Sequence, residues 1–178
     1  MTGGTLRGVP PSIMQTDLFY DIADVLDGLG VVWWLSDGAA LGCVREGGWV
    51  ATDADVDIGL WADDEPEVRR HLDGAGWQPH PRSIDPTYVR HGVKLDLHGH
   101  VRDGGSVWFA LGAGKFRYRF PGRLFDRFET RQFLGRAVLL PSPSADYLAA
   151  HYGPDWQTPK GRWRWNVDPP CLEVVAGG

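Results

Sequence analysis

Three aspartates stand at every second position of a short segment that otherwise has the character of a β-strand. Side chains alternate between the two faces of a strand, so Asp53, Asp55 and Asp57 point one way while Val56 and Ile58 point into a core. Carboxylates held close together repel one another, and a cation between them relieves that repulsion. Mg²⁺ prefers hard oxygen ligands and keeps positions open for substrate phosphates. The spacing therefore predicts a site for Mg²⁺ or Mn²⁺.

Two further segments supply the other parts of a phosphoryl-transfer site. Upstream, the apolar run 31–35 ends in a turn at Gly38, where a glycine lets helix N–H groups approach a phosphate closely. Downstream, the segment 95–97 is an alternating strand with one carboxylate on its polar face. Two-metal phosphoryl and nucleotidyl transfer uses carboxylates from adjacent strands around ions about 3.5–4 Å apart. The predicted catalytic and metal-binding residues are Asp55, Asp57 and Asp96.

Some neighbouring residues allow other interpretations. Asp53 either acts at the outer edge of the metal site or caps the loop that follows Thr52. Asp96 shares its strand face with His98 and His100, at i, i+2 and i+4, and this spacing raises a rival site for Zn²⁺ or Fe²⁺. Histidines near a strand end are more often surface residues, and Mg²⁺ prefers all-oxygen ligation, so the aspartate site is favoured.

The order of these motifs resembles the LicD/fukutin family. The family's G-[ST]-L-L-G turn, arginine and aromatic-I-P-W-D-D-D-I-D-I block match residues 37–42, Arg45 and residues 49–58. Residues 95–97 stand where the family has a hydrophobic-Asp-hydrophobic strand, and 152–159 resembles its Y-G-x-x-W-x-x-P close. The resemblance covers most of the chain, and the order of the motifs makes it specific.

This resemblance implies a nucleotidyltransferase fold and the transfer of phosphocholine or ribitol phosphate from CDP-activated donors. The superfamily pattern of a glycine turn, D-h-[DE]-h and a third acid falls on Gly38, Asp55, Asp57 and Asp96. The chain departs from the pattern at Ala39, where the family has Ser or Thr, and at 51–52, where it has Pro-Trp. The substrate-binding residues expected around the turn are Gly38, Ala39 and Arg45. Pairing of Arg45 with Glu46 or Asp37 is the alternative.

Basic and aromatic residues elsewhere supply further candidates for substrate contacts. Lys115 alternates along a predicted strand with Arg117 and Arg119, which indicates either a positive rim that attracts an anionic nucleotide or a polar sheet face. Trp156 and Trp163 lie in a Pro- and Gly-rich tail. Their rings either stack on a base, sugar or quaternary ammonium group of the substrate, or they strap the tail over the domain. The predicted substrate-binding set is completed by Lys115, Trp156 and Trp163.

Composition is that of an ordinary enzyme domain. The 178 residues are enough for one sizeable core, and a net charge of −5 without a long basic run argues against nucleic acid as the partner. Residues 1–15 lack the features of a secretory signal, and no apolar run approaches the roughly 18 residues of a membrane span. Cys43 and Cys171 lie far apart. We expect free thiols, with Cys43 buried, and a cytoplasmic location without a membrane span.

Glycines, prolines and capping residues predict an α+β fold, a single domain with a mixed or antiparallel sheet flanked by helices. Residues 1–15 are expected as a loose arm and residues 16–178 as the nucleotidyltransferase-like domain. Helices are predicted over 16–29, 38–45, 65–75 and 143–152. Strands are predicted over 31–35, 54–60, 86–91, 93–98, 106–111, 115–120 and 132–140. A hairpin turn is expected at 104–105, and an irregular tail follows the last helix.

Together these features predict a Mg²⁺-dependent transferase that moves a phospho-alcohol, or a nucleotidyl group, from a nucleotide-activated donor such as a CDP-alcohol to an acceptor hydroxyl. Asp96 is the candidate proton acceptor. The same acids would serve attack on an NTP with release of pyrophosphate, as in antibiotic-modifying relatives of the superfamily. A non-catalytic nucleotide-binding module is the third alternative, motivated by the short chain and the missing Ser or Thr after Gly38. Such a module has no physical reason to keep three like charges together.

Overall fold

A mixed β-sheet flanked by helices forms the fold in a computed structural model that describes residues 11–81, 83 and 85–175. The helices are α1 (Pro11–Leu29), α2 (Asp37–Arg45), α3 (Glu65–Gly74) and α4 (Ser144–Tyr152). The strands are β1 (Trp33–Leu35), β2 (Asp55–Trp61), β3 (Gln78–Pro79), β4 (Thr87–Arg90), β5 (Val93–Asp103), β6 (Ser106–Leu111), β7 (Phe116–Pro121), β8 (Phe128–Phe133), β9 (Arg136–Pro141) and β10 (Leu172–Val174).

The sheet runs in the order β1-β2-β5-β6-β7-β10, and the short β3–β4 hairpin pairs with the start of β5. β2 and β5 are parallel, whereas β1 pairs with β2, and β6 with β5, in antiparallel fashion. The hairpin of β8 and β9 forms a separate two-stranded sheet. This arrangement confirms the predicted α+β class with a mixed sheet and helices around it.

The parallel pair β2–β5 has the register that matters for chemistry. Asp57 of β2 lies directly beside Asp96 of β5, and Asp55 lies beside Lys94. Parallel strands need a long crossover connection, and here α3 and the β3–β4 hairpin provide it. Val56 and Ile58 alternate with the aspartates of β2 and are fully buried. The structure therefore has the alternation of acidic and buried apolar side chains that the sequence predicts.

Several predicted boundaries are wrong. α1 begins at Pro11, so residues 11–15 of the expected arm are helical, and the rest of that arm lies outside the described residues. The hydroxyl of Thr16 donates to the carbonyl of Ser12 inside the helix instead of capping it. The single strand expected over 132–140 is a hairpin, because Leu134 and Gly135 have φ angles of 50° and 82° and turn the chain. The tail is not wholly irregular, since β10 pairs with β7.

The expected hairpin turn and free thiols are confirmed. The hairpin turn at 104–105 joins β5 to β6. Cys43 and Cys171 are both buried, free thiols. Within the described residues, no helix combines the length and the apolar character that a membrane crossing requires.

α4 depends on a carboxylate from the β8 strand for its first turn. Glu129 accepts hydrogen bonds from the Ser144 backbone N–H at 3.0 Å and from the Ser144 hydroxyl at 2.6 Å. Burial alone would raise the pKa of Glu129, but the bonds from Ser144 and the neighbouring Arg131 lower it overall. The carboxylate is therefore the N-terminal cap that an α-helix otherwise obtains from its own Ser, Thr or Asp.

Glu129→Gln should lower the free energy of unfolding at pH 7 by about 1 kcal/mol, the usual contribution of such a cap. A carboxyl with a lowered pKa stabilises the fold above its ordinary value of 4.5, and that stabilisation is lost as the pH falls through the lower, folded value. Denaturant titrations at pH 7 and pH 3 measure both effects. Glu173→Gln, which alters an exposed ion pair with Arg119, is the matched control. Equal losses in the two variants, or a loss that persists at pH 3, would contradict the assignment.

Candidate active site

A cavity of about 420 Å³ opens over the paired strands β2 and β5. Its volume lies in the range of small-molecule sites. We call it the acidic cavity, because its lining includes the carboxyl groups of Asp37, Asp53, Asp55, Asp57, Asp85 and Asp96. The three predicted catalytic residues, Asp55, Asp57 and Asp96, are therefore brought to one site by the register of β2 and β5.

Asp57 is the most deeply placed of the predicted acids, with only 8% of its surface exposed. Its Oδ2 accepts a hydrogen bond of 3.1 Å from the backbone N–H of Gly38, in the first turn of α2. Burial raises the pKa of Asp57 well above its usual range, and the nearby carboxylates of Asp53, Asp96 and Asp55 raise it further. A carboxylate in this position is one that a cation would stabilise strongly.

Asp55 and Asp96 share a positive charge that the chain supplies itself. The ammonium of Lys94 lies 2.6 Å from Asp55 Oδ2 and 3.3 Å from Asp96 Oδ2. Burial lowers the pKa of Lys94, but the two carboxylates more than offset this and raise it overall. The hydroxyl of Thr87 donates to the other oxygen of Asp96 at 2.5 Å. Lys94 thus fixes the orientation of two of the three predicted acids.

Position 38 requires a glycine because a side chain there would collide with the carboxylate of Asp53. A Cβ atom at this position would lie 1.6 Å from Asp53 Oδ2 and 3.3 Å from Asp57 Oδ2. The Gly38 N–H group, which the sequence assigns to a phosphate, donates to Asp57 Oδ2 here, so phosphate binding at this turn stays a prediction. Asp53 itself accepts from the Asp55 N–H at 3.3 Å, which places it beside the central acids as an orienting group.

Gln15 holds the acidic segment from the other side. Its buried side-chain amide donates to the carbonyls of Asp53 and Asp55 at 3.2 and 2.9 Å. Gln15 lies in α1, within the segment 1–15 that the sequence predicts to be a loose arm. The first turns of α1 therefore position the acidic strand.

A second group of polar residues lies at the deep end of the acidic cavity. Asp37 Oδ2 is 3.4 Å from His98 Nε2, and Asp37 Oδ1 is 3.3 Å from His151 Nε2. Burial raises the pKa of Asp37 to about 7, with the charge of His98 opposing the shift and that of Asp57 adding to it. Burial lowers the pKa of His151 to about 3, so its imidazole is neutral at physiological pH.

The donor set of the acidic cavity fits Mg²⁺. It offers hard carboxylate oxygens from two adjacent strands, and the raised pKa of Asp57 reflects repulsion that a divalent cation would relieve. Asp55, Asp57 and Asp96 remain the residues that would hold it. Lys94 already offsets part of the charge of Asp55 and Asp96, so Asp57 is the acid with the greatest need of an added cation.

Next to the acidic cavity lies a larger one, of about 1070 Å³, whose lining has more cationic than anionic side chains. We call it the basic cavity, because its lining includes Arg45, Lys160, Arg162 and Arg164 against the two acids Glu46 and Asp53. The two cavities share Gly38, Asp53, Tyr152 and Trp163 in their linings. An anionic molecule in the basic cavity would therefore reach the acids of the neighbouring cavity.

Besides Gly38, three predicted substrate-binding residues line the basic cavity. Arg45 pairs with Glu46 at 2.7 Å, as the alternative interpretation expected, and also donates to the backbone carbonyl of Trp156 at 3.3 Å. Trp156 is buried and belongs to the core cluster. Trp163 is half-buried against Tyr152, with the Lys160 ammonium 5.2 Å from its ring centre, and it borders both cavities.

Other predicted contacts lie elsewhere. Lys115 is exposed in the turn before β7 and lines neither cavity. The positive rim is not formed, because Arg117 stacks on Trp108 and Arg119 pairs with Glu173. Ala39 is buried in the core, one residue beyond the turn.

The rival histidine site is divided by the structure. His98 reaches the acidic cavity, whereas His100 is buried among aromatic rings 4.6 to 5.5 Å from its own. Burial lowers the pKa of His100 to about 3, so it is a neutral core residue. Asp96, His98 and His100 therefore do not form one ligand set.

Sequence reasoning missed four residues of the site. Lys94 shares the strand face of Asp96 by simple alternation, which is a signal that could have found it. Asp37 stands in the turn motif, but only the structure shows its carboxylate pointing inward. Gln15 and His151 come from distant helices, and no local pattern connects them with the acids.

The fold is also found in solved structures. The lincomycin-bound crystal structure of the lincosamide antibiotic adenylyltransferase LnuA aligns with a TM-score of 0.52 and 24% identity, covering 75% of this chain and 84% of that one. The solution structure of the antibiotic-resistance factor ANT(2'')-Ia aligns with a TM-score of 0.51 and 16% identity, over 74% and 66% of the two chains. At these identities the similarity shows a shared fold.

Sequence similarity extends to the ribitol-5-phosphate transferase FKTN. The protein from Mus musculus is 31% identical over 163 residues, and that from Homo sapiens is 30% identical over 165 residues. Each match covers 85% of this chain and 35% of the relative, so the chain spans about a third of the length of these proteins. The model of the family described as LicD/FKTN/FKRP, nucleotidyltransferase domain, matches residues 30–143. The chain therefore belongs to the LicD/FKTN/FKRP family, as its motifs indicated.

Proposed function

We propose that this protein is a Mg²⁺-dependent transferase that moves a phospho-alcohol from a nucleotide-activated donor to an acceptor hydroxyl. The name of the FKTN relatives makes ribitol 5-phosphate the first candidate for the transferred group. A CDP-alcohol is the donor that the resemblance to the LicD/fukutin family implies. The observation that carries this proposal is the contact between the two cavities. A cluster of carboxylates lies beside a basic cavity, and Gly38 and Trp163 line both.

The charges of the two cavities indicate which part of the substrate each of them would bind. The arginines and lysine of the basic cavity suit the nucleotide and its phosphates, because guanidinium groups bind phosphate with charge-assisted hydrogen bonds. Arg162 has no ion pair among the described residues, whereas Arg45, Lys160 and Arg164 would exchange their present carboxylate partners for the phosphates. The acceptor hydroxyl then approaches from the acidic cavity. Asp55, Asp57 and Asp96 would hold Mg²⁺, which would neutralise charge on the phosphates and lower the pKa of the hydroxyl.

The chain's own residues orient the proton acceptor. Asp96 is that acceptor in the proposal, with one oxygen held by the Thr87 hydroxyl and the other beside Lys94. General-base catalysis needs such a group within hydrogen-bond reach of the hydroxyl, and it contributes a factor of roughly 10²–10⁴. Tyr152 and Trp163 line both cavities and form part of the wall between them.

A product assay tests the proposal. The full chain is incubated with CDP-ribitol, Mg²⁺ and a hydroxyl acceptor, and in parallel with CTP or ATP and the same acceptor. Release of CMP that requires Mg²⁺ is the expected result. Release of pyrophosphate from an NTP would replace this proposal with nucleotidyl transfer. Tight nucleotide binding without either product, and without an effect of Mg²⁺, would indicate a binding module.

The aromatic wall makes a second test possible. Trp163→Ala should raise the dissociation constant of CDP about 30-fold, because stacking of an aromatic ring on a base contributes roughly 1–3 kcal/mol. Trp156→Ala should instead lower the melting temperature, since Trp156 is buried in the core. Calorimetric titration and thermal unfolding measure the two effects. Tyr20→Ala, at an α1 side chain that is 37% exposed and lines neither cavity, is the control for loss of an exposed aromatic ring. If Trp163→Ala binds CDP normally and melts early, the tail is a structural strap.

A further inference from the structure

We infer that Asp37, Asp57 and His98 form a separate site for a divalent transition metal, with Zn²⁺ as the best match. This inference goes beyond the proposed Mg²⁺ site and shares only Asp57 with it. One ligand atom from each residue lies within 4.8 Å of the others at the deep end of the acidic cavity. No single segment carries the set, because the residues come from α2, β2 and β5.

The spacing of the donor atoms fits four-coordinate zinc. His98 Nε2 lies 3.4 Å from Asp37 Oδ2 and 3.7 Å from Asp57 Oδ1. Ligand atoms about 2.1 Å from a tetrahedral Zn²⁺ are separated by about 3.4 Å. Three protein ligands leave the fourth position open toward the cavity, which is the arrangement of catalytic zinc sites.

Missing hydrogen bonds also point to a ligand. His98 Nε2 and Asp37 Oδ2 are buried and lie 3.4 Å apart, yet neither forms a hydrogen bond with the other or with any other described residue. His98 as a whole is 8% exposed, and its ring is fixed against Phe109 with centroids 4.4 Å apart. Buried polar atoms without partners are costly, and a bound cation would satisfy both.

The surroundings decide where such a cation binds. Asp55 and Asp96 already have the Lys94 ammonium between them, whereas the described residues place no Lys or Arg ion pair on Asp37 or Asp57. His151 Nε2 lies 3.3 Å from Asp37 Oδ1 and orients the Asp37 carboxylate. Residues that contact a metal ligand without binding the metal commonly have this role. An imidazole nitrogen among the ligands selects Zn²⁺ or Co²⁺ over Mg²⁺ and Mn²⁺, which prefer oxygen ligands.

Cobalt titration of the metal-depleted full chain tests this inference. We expect one equivalent of Co²⁺ to bind with the visible absorption of a four-coordinate ion, to be displaced by Zn²⁺ and to resist a large excess of Mg²⁺. His98→Ala and Asp37→Asn should weaken Co²⁺ binding by more than the roughly 10–100-fold that loss of an outer partner causes. His91→Asn is the control, because His91 is exposed, and asparagine tolerates its φ of 55°.

Two further measurements guard against a folding defect in the variants. His98→Gln keeps the size of the side chain without an imidazole, and thermal unfolding in EDTA compares its fold with that of the wild type. X-ray absorption of the Zn²⁺-loaded wild-type protein should show one imidazole ligand. Wild-type Co²⁺ affinity in both His98 variants, or a folded wild-type protein that binds no Co²⁺, would overturn the inference. Mg²⁺-dependent transfer in a protein that binds no Co²⁺ would overturn this inference alone and leave the proposed function standing.

Discussion

Replacing Asp57 with asparagine should lower kcat a thousandfold or more, equivalent to roughly 4 kcal/mol of transition-state stabilisation. The carboxylate lies at the centre of the site, within reach of both the proposed Mg²⁺ position and the Asp37–His98 pair. Asparagine keeps the size and can still accept the hydrogen bond from Gly38, so the fold should survive. Steady-state turnover measured beside a thermal melt separates lost chemistry from lost structure.

The difference in stability between the Asp57→Asn variant and the wild type should depend on pH in a defined direction. A carboxyl whose pKa is raised in the folded state favours folding when protonated, so its favourable contribution is lost as the pH rises from the unfolded value through the folded one. In metal-free buffer the wild type should therefore lose stability over that range, whereas the Asp57 contribution to that loss is absent from the variant. Its melting temperature should exceed the wild-type value at pH 8.

Two comparisons sharpen this test. Asp55→Asn should lose a similar factor in kcat, but it should not gain stability, because its carboxylate is paired with Lys94. Asp103→Asn, at an exposed aspartate near the far end of β5, should leave both kcat and melting temperature unchanged. Near-wild-type turnover in Asp57→Asn would remove this residue from the site and would end the metal assignment.

Local alternation explains why the central sheet could be predicted. The period-two pattern of β2 and β5 places acids on one face and Val56, Ile58, Leu95 and Leu97 in the core, and the structure has this arrangement. The parallel pairing of the two strands is a tertiary property, set by the crossover through α3, and alternation carries no information about it. The β8–β9 hairpin was missed because Leu134 adopts a left-handed φ that leucine rarely takes.

The candidate site was only partly predictable for the same reason. Asp55, Asp57 and Asp96 follow from spacing and from the family motifs, and register then brings them together. Burial raises the pKa of Asp57, whereas the pKa of Lys94 is raised by its carboxylate partners against the effect of burial. Both effects depend on how the helices pack against the sheet. Contacts such as Gln15 with the Asp55 carbonyl join residues 40 positions apart. Sequence spacing cannot find such contacts, because they arise only when α1 packs against β2.

Gly38→Ala should lower kcat/KM about a hundredfold while the protein stays folded. The new Cβ would lie 1.6 Å from Asp53 Oδ2, so the Asp53 carboxylate must move away from its bond with the Asp55 N–H. Displacing groups in an active site by about 1 Å is enough to cost about a hundredfold in rate. The clash falls on a side chain and not on backbone, so the melting temperature should fall only slightly.

A double variant identifies the cause of that loss. If the Asp53 carboxylate is what the methyl group displaces, Gly38→Ala/Asp53→Ala should be no slower than Asp53→Ala alone, because the two changes then share one effect. Gly28→Ala in α1 is the matched control, since nothing lies within 4 Å of its added Cβ and the change should leave activity intact. Additive losses in the double variant would instead mean that Gly38 acts without Asp53. A direct approach of substrate phosphate to the α2 turn would then be the better explanation for the glycine.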